Sequence, residues 1–239
     1  MFIKSLLVNG VRRQVLVNAE DSLANVLRDQ LQLTSVKLCD GKLTRTCVLK
    51  MKRVPDDATI ITLEGIGTPD HLHPLQEAWI FHGAAQCGFC TPGFIVAAYA
   101  LLQQNLSPTR DEVRDWFQKN RNVCRCTGYI PIINAVMDAA AVMRGEKDIE
   151  EIRYKEPAEG HHLGSTKPRP SAVAKVTGTA EFGADATVHM PSNTLHLALA
   201  QAKVSHAIIK GIDTSEAEKM PGVFRVLTHK DVKGKNRIT

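Results

Sequence analysis

Two runs rich in β-forming apolar residues interrupted by polar ones, 2–8 and 11–17, open the chain and are separated by Asn9-Gly10. A two-residue hairpin turn needs positive φ at both central positions, which Asn and Gly tolerate, so the spacing predicts a β-hairpin. Asp21 or Ser22 can then cap a helix whose apolar residues Leu23, Val26, Leu27 and Leu31 fall on one face. Two more strands are expected at Leu43 to Met51 and Thr59 to Leu63, with Pro55-Asp56-Asp57 as the turn between them. The order strand, strand, helix, strand, strand predicts a small β-grasp sheet crossed by one helix over residues 1–66.

Beyond it the apolar period lengthens to that of helices. Gly65 to His73 reads as a linker, and residues 67–145 hold four helices. Pro74 suits the first turn of the first, which runs to about His82, because an amide hydrogen there would have no helical partner. The second starts near Pro92 and runs to about Asn105. Thr109 with Glu112 three residues on makes a capping box for the third, which carries Val113, Trp116 and Phe117. The fourth starts near Pro131, carries Ile132, Ile133, Val136, Ala139, Ala140 and Met143, and stops at Gly145. Residues 146–170 contain no periodic apolar run and read as an extended connector. From 171 to 239 short Val-rich and Thr-rich strands are expected, among them the alternating Thr194 to Leu199. This last stretch is short for an independent core, so it is expected to be the truncated start of a larger domain. The fold class is α+β and multidomain.

Hydrophobic residues make up 44% of the chain but aromatics only 5%, so the cores rest on Leu, Ile, Val and Ala. The net charge of +5 is scattered among acids, without the basic cluster that nucleic-acid binding requires. No stretch approaches the roughly 20 apolar residues of a membrane span, and the amino-terminal run reads as a strand, not a secretion signal. Six cysteines in such a chain point to metal binding in a reducing, cytoplasmic compartment and not to disulfides.

Four of the six are clustered. Gln86-Cys87-Gly88-Phe89-Cys90-Thr91-Pro92-Gly93 holds a C-x-x-C pair, and Cys124-Arg125-Cys126-Thr127-Gly128-Tyr129 holds a C-x-C pair. Both precede helix starts, whose free N–H groups and partial positive charge stabilise thiolates. Four soft thiolates select an iron–sulfur cluster or structural zinc. The one-residue gap in Cys124-x-Cys126 fits zinc spacing poorly, but on residue chemistry alone zinc and plain buried thiols remain open. His71 and His73 beside a helix start, and the adjacent His161 and His162, read as cap and loop residues. Gly65-Ile66-Gly67 lacks the third glycine and the helix of a dinucleotide fingerprint.

Ala85 to Phe94 together with Cys124 to Tyr129 resembles the second 2Fe–2S domain of the molybdenum hydroxylases, the xanthine oxidase family. Arg169-Pro170 and Lys175-Val176-Thr177-Gly178-Thr179-Ala180 resemble the beginning of that family's molybdenum-binding part, and the likeness, to its bacterial aldehyde oxidoreductase branch, extends over essentially the whole chain. The resemblance implies that Cys87, Cys90, Cys124 and Cys126 ligate one 2Fe–2S cluster on a four-helix domain. It also implies that Gln86 and Cys126 lie beside the pterin of a molybdopterin cytosine dinucleotide, which is bound with its molybdenum mostly by residues beyond this chain. By the same resemblance residues 1–66 are a ferredoxin-like domain and 171–239 begin an α/β molybdenum domain with an a/b hammerhead. The implied function is electron relay in the oxidation of an aldehyde to a carboxylic acid with water as oxygen source. The implied partners are an aldehyde substrate, an external acceptor such as a flavodoxin or ferredoxin, and a second copy in a homodimer. No catalytic residue is expected in this chain, and the chain alone is expected to be inactive.

The sequence departs from the family in its first domain. The family's ferredoxin-like domain carries three cysteines spaced C-x4-C-x2-C before a strand that brings the fourth ligand. Here Ser35-Val36-Lys37-Leu38 passes almost directly into Cys39-Asp40-Gly41, so that loop is missing. Cys47 matches the fourth ligand and Cys39 a non-ligand, and both are expected to be plain thiols. The rival readings are a non-catalytic zinc module that uses the same four thiolates, and a degenerate paralogue without the outer cluster.

Overall fold

The computed structural model describes residues 1–33, 37–126, 128–183 and 190–235, in two compact units, Met1–Ala180 and Glu181–Thr239. In the first unit, β1 (Phe2–Val8) and β2 (Val11–Val17) pair antiparallel around Asn9-Gly10, with φ of 49° and 78°. Helix α1 (Leu23–Leu31) starts at Ser22, whose hydroxyl accepts the Asn25 amide hydrogen at 3.2 Å. Three short strands follow: β3 (Lys37–Cys39), β4 (Lys42–Thr44) and β5 (Ala58–Thr62). The sheet order is β2-β1-β5-β3-β4, with β1 and β5 parallel and the other pairs antiparallel. This is the expected β-grasp arrangement.

The strand expected over Leu43 to Met51 is shorter than its sequence suggests. It ends at Thr44, and residues 45–50 turn away to serve the start of α1. There the Thr46 and Leu49 carbonyls accept the Ala24 and Leu23 amide hydrogens, at 3.1 and 2.9 Å. A helix start leaves its first amides without partners, and this loop satisfies two of them. In exchange, Lys37–Cys39 forms a strand that sequence reasoning left out, joined to β4 by the two-residue turn Asp40-Gly41 with φ of 48° and 71°. Ser35 and Val36, where the ligand loop is missing, lie outside the described residues.

Two cores share this sheet. Leu6, Val8, Val15, Val17 and Ile60 pack with Leu23, Val26 and Leu27 of α1 on one side. Leu38 and Leu63, flanked by Leu43 and Ile61, belong instead to the larger core of the four helices. These are α2 (Pro74–Phe81), α3 (Thr91–Gln104), α4 (Arg110–Lys119) and α5 (Tyr129–Met143). The predicted capping box is present at α4: the Thr109 hydroxyl accepts the Glu112 amide hydrogen at 3.2 Å, and the Glu112 carboxylate accepts that of Thr109 at 2.7 Å. Helix α3 is apolar all round and is buried along Phe94, Ile95, Val96, Ala97, Ala98, Leu101 and Leu102, as such a helix must be. The Trp116 indole N–H donates to the Ala97 carbonyl at 2.8 Å and fastens α4 to it. His82 and Lys147 both reach Asp138 of α5, at 2.8 and 3.0 Å, and hold its carboxyl below the usual range against the opposing effect of burial.

The connector crosses this surface with few buried residues, Ile152 being one, until α6 (Ala172–Thr177) packs Val176 into the helical core. Gln76 of α2, fully buried, makes that junction. Its Nε2 donates to the Val176 carbonyl at 2.9 Å, and its Oε1 accepts the His73 amide hydrogen at 2.8 Å.

In the second unit the expected strands are not found among the described residues. Its described residues hold a short helix, α7 (Ser215–Lys219), and a 3-10 turn at His229–Asp231. Leu195, Leu197 and Leu199 alternate as predicted, yet all are exposed, as are Ile208, Ile209 and Phe224. Alternation marks one face of a strand, but a strand also needs a neighbour for its backbone groups, and among the described residues none pairs here. Among the described residues no helix is long and apolar enough to cross a membrane.

Replacing Gln76 by Leu orphans two buried backbone groups, each costing about 1–3 kcal/mol. Urea unfolding is expected to show a loss several times that of Thr109→Ala, whose exposed cap contributes about 1 kcal/mol. Equal losses would mean that Gln76 does not anchor α6.

Candidate iron–sulfur site

Both cysteine pairs are carried by the starts of long helices. Cys90 is the residue that caps α3, and its carbonyl accepts the Phe94 amide hydrogen at 3.1 Å as the first helical bond. Cys126 lies two residues before Gly128, the cap of α5. The Tyr129 hydroxyl, on the first turn of α5, accepts the Cys124 amide hydrogen at 3.3 Å and ties the C-x-C turn to the helix it precedes. Phe94 of α3 meets Phe117 of α4 edge to face at 4.8 Å and Tyr129 of α5 at 6.2 Å, so the two helix starts are held in register by aromatic packing.

The four thiols meet. Cys87 and Cys126 bring their sulfurs to 3.5 Å, and Cys90 is hydrogen-bonded to Cys124. The burial differs between the pairs. Cys87 and Cys126 are exposed, Cys90 is half-buried and Cys124 is buried. Burial, together with the charges of the other three cysteines, pushes the Cys90 thiol up to about 12. Close in sequence to the cysteines, Phe89, Val123 and Ile130 are 87%, 70% and 69% exposed.

The donor set fits a two-metal cluster. Two thiolates on one tetrahedral metal at bonds of about 2.3 Å lie about 3.8 Å apart, close to the 3.5 Å of Cys87 and Cys126. Thr91, next to Cys90, keeps a buried hydroxyl without a partner and so has a donor to offer a sulfur.

The C-x-x-C turn has one more neighbour. Lys175 of α6 donates to the Gln86 carbonyl at 2.6 Å, and its stem lies across Gly88. Sequence reasoning singled out Lys175 only within a motif of another domain. The absence of a side chain at Gly88 was the one signal for a close approach at that turn.

The remaining sequence candidates lie elsewhere. Cys39 is buried in the core under α1, and that burial raises its thiol. Cys47 is exposed on the loop that caps α1. His73 caps α2, accepting the Leu75 amide hydrogen at 3.1 Å on Nδ1, as expected. Burial pushes its imidazole below the ordinary value.

Comparison with known proteins agrees with this geometry. Residues 62–137 match the 2Fe-2S binding domain family, and residues 177–239 match the a/b hammerhead domain of aldehyde oxidase and xanthine dehydrogenase. The chain is 59% identical over 252 aligned residues to an aldehyde oxidoreductase of Megalodesulfovibrio gigas, covering all of this chain and 28% of that one. It is 43% identical to the small subunit of nicotine 6-hydroxylase of Paenarthrobacter nicotinovorans, covering 55% of this chain and 86% of the subunit. The crystal structure of the aldehyde oxidoreductase from Desulfovibrio desulfuricans superposes with a TM-score of 0.81 at 67% identity, over all of this chain and 28% of that one. The chain thus spans little more than a quarter of these oxidoreductases. The 252 aligned positions exceed its 239 residues, so the M. gigas protein has residues in this stretch without a counterpart here.

Alkylation of cluster-free protein at pH 8 is expected to modify Cys87 and Cys126 well before Cys90, read by peptide mass spectrometry. A thiol raised to about 12 stays protonated until the pH nears that value, and the protonated form does not react. Equal labelling of all three would contradict the inward-facing position of Cys90.

Proposed function

The chain belongs to the molybdenum hydroxylase family of xanthine oxidase and aldehyde oxidoreductase, and on that premise we propose that residues 67–145 carry one 2Fe–2S cluster that relays electrons from a molybdopterin site. The observation that carries this is the meeting of four thiols at two helix starts, with Cys87 and Cys126 at 3.5 Å. The chain holds a 2Fe-2S binding domain. Its ligands on our reading are Cys87, Cys90, Cys124 and Cys126. Bound there, the cluster supplies reversible one-electron transfer.

The residues of this chain hold and orient that group. Cys90 and Cys124, set inward, anchor it in the helical core. Cys87 and Cys126, both exposed, leave one side open to a redox partner. That opening supports placing Gln86 and Cys126 on the side of the pterin of a molybdopterin cytosine dinucleotide. The helix starts beneath the sulfurs add partial positive charge that favours an anionic cluster.

Residues 1–66 form a ferredoxin-like domain that on our reading holds no cluster of its own, because Cys39 is a core thiol and Cys47 has no set of cysteine partners. Residues 146–170 connect to a molybdenum-binding part that begins within 171–239. The activity proposed for the protein is oxidation of an aldehyde to its acid in the cytoplasm, with electrons leaving to an external acceptor such as a flavodoxin or ferredoxin, and with a homodimer as the assembly.

Reduction by dithionite is expected to give one 2Fe–2S paramagnetic signal and to bleach the visible absorption. Cys90→Ser and Cys124→Ser are expected to lose both, while Cys39→Ser and Cys47→Ser keep them. A colourless protein containing zinc, or loss of the signal in the Cys47 variant, would sink the assignment.

A further inference from the structure

We propose that Lys175 is a positioning residue of the electron-transfer site. Its ammonium fixes the peptide that leads into Cys87, and its charge raises the reduction potential of the cluster. The proposal rests on the reading that Cys87, Cys90, Cys124 and Cys126 are the ligands. Lys175 is far along the chain from them, in a segment outside the residues that match the 2Fe-2S binding domain.

Three observations converge on it. The first is the bond itself: Nζ donates to the Gln86 carbonyl at 2.6 Å in a partly buried setting. A cation there sits one peptide from a ligand and is less screened by salt than a surface charge.

The second is the fit of the stem. A Cβ built on Gly88 would lie 2.7 Å from Lys175 Cγ and 2.8 Å from Cδ, and Gly88 itself has φ of +90°. The C-x-x-C turn therefore leaves free the space that the lysine stem fills. The stem covers the turn while the charged end reaches past it to the carbonyl.

The third is the rigidity of the support. Helix α6 has only six residues, yet its place is set by buried groups on both flanks of the lysine. Ala172 and Val176 are buried, the Val176 carbonyl is taken by Gln76, and the Thr177 hydroxyl donates to the Val173 carbonyl at 2.9 Å. A lysine on a mobile surface segment loses much of its contact to side-chain entropy, whereas here the backbone that carries it is fixed before the bond forms.

The chemistry follows from charge. A cluster on four thiolates is anionic, and reduction adds one further negative charge. A cation held beside it stabilises the reduced form more than the oxidised one and moves the potential upward. By fixing Gln86-Cys87-Gly88, Lys175 also sets the orientation of Cys87.

The test is a redox titration of the 2Fe–2S signal, followed by electron paramagnetic resonance, in the intact protein and in Lys175→Met, Lys175→Gln and Lys175→Arg. Methionine keeps a stem over Gly88 and removes the charge. The expected result is unchanged iron content with a potential shifted to more negative values in Lys175→Met, and recovery towards the unsubstituted value in Lys175→Arg. The same potential in all variants would overturn the proposal while leaving the ligand assignment intact. If Lys175→Met holds no cluster, Lys175→Gln against Lys175→Arg decides in the same way: a lower potential in the glutamine variant supports the proposal and equal potentials overturn it. Absence of any 2Fe–2S signal from the unsubstituted protein would overturn the ligand assignment, and the role of Lys175 with it.

Discussion

A helix that is apolar on every side can persist in water only when other elements cover it completely, and α3 is in that position. It is packed by α2, α4, α5 and α6, and by the strands β3 and β4. Its burial decides where Cys90 sits, because that residue is its first turn's cap, and it constrains how α5 approaches, because Phe94 packs at a tilt against Tyr129. The arrangement of the four thiols is thus a by-product of core packing. Loops bearing four thiols would scatter them, whereas two buried helices bring the loops together.

The division of the cysteines into an inward and an outward pair follows from the same constraint. Cys124 and Cys90 lie against the helical core, while Cys87 and Cys126 lie on the turn outside it. A site buried on all sides would exclude the next electron carrier, and a fully exposed one would admit water and oxidants. The half-buried site serves relay better than either extreme. The first domain shows the contrast: Cys39 is enclosed under α1 among Leu6, Val8 and Ile60, where a thiol behaves as a small hydrophobe.

Much of this was legible locally. Asn9-Gly10, the Ser22 cap, the Thr109–Glu112 capping box and Pro74 each act within a few residues, so the hairpin and all four helices could be read from the chain. The two cysteine pairs were legible for the same reason, since each spacing places its thiols on a turn before a helix. What escaped depends on partners distant in sequence. The strand expected to Met51 was cut short because residues 45–50 satisfy α1. The strands expected around Leu195 to Leu199 have the right alternation but no recorded neighbour. Lys175 was invisible as a site residue because only the fold brings α6 onto Gly88, and Thr91 because a lone hydroxyl beside a cysteine has no pattern.

The central claim, one cluster on the helical domain and none on the β-grasp domain, is tested most directly by counting iron and acid-labile sulfide per chain in anaerobically purified protein. About two of each is the predicted result, the content of a single 2Fe–2S cluster. About four irons would contradict the account by requiring a second cluster, and zinc in place of iron would contradict the relay altogether.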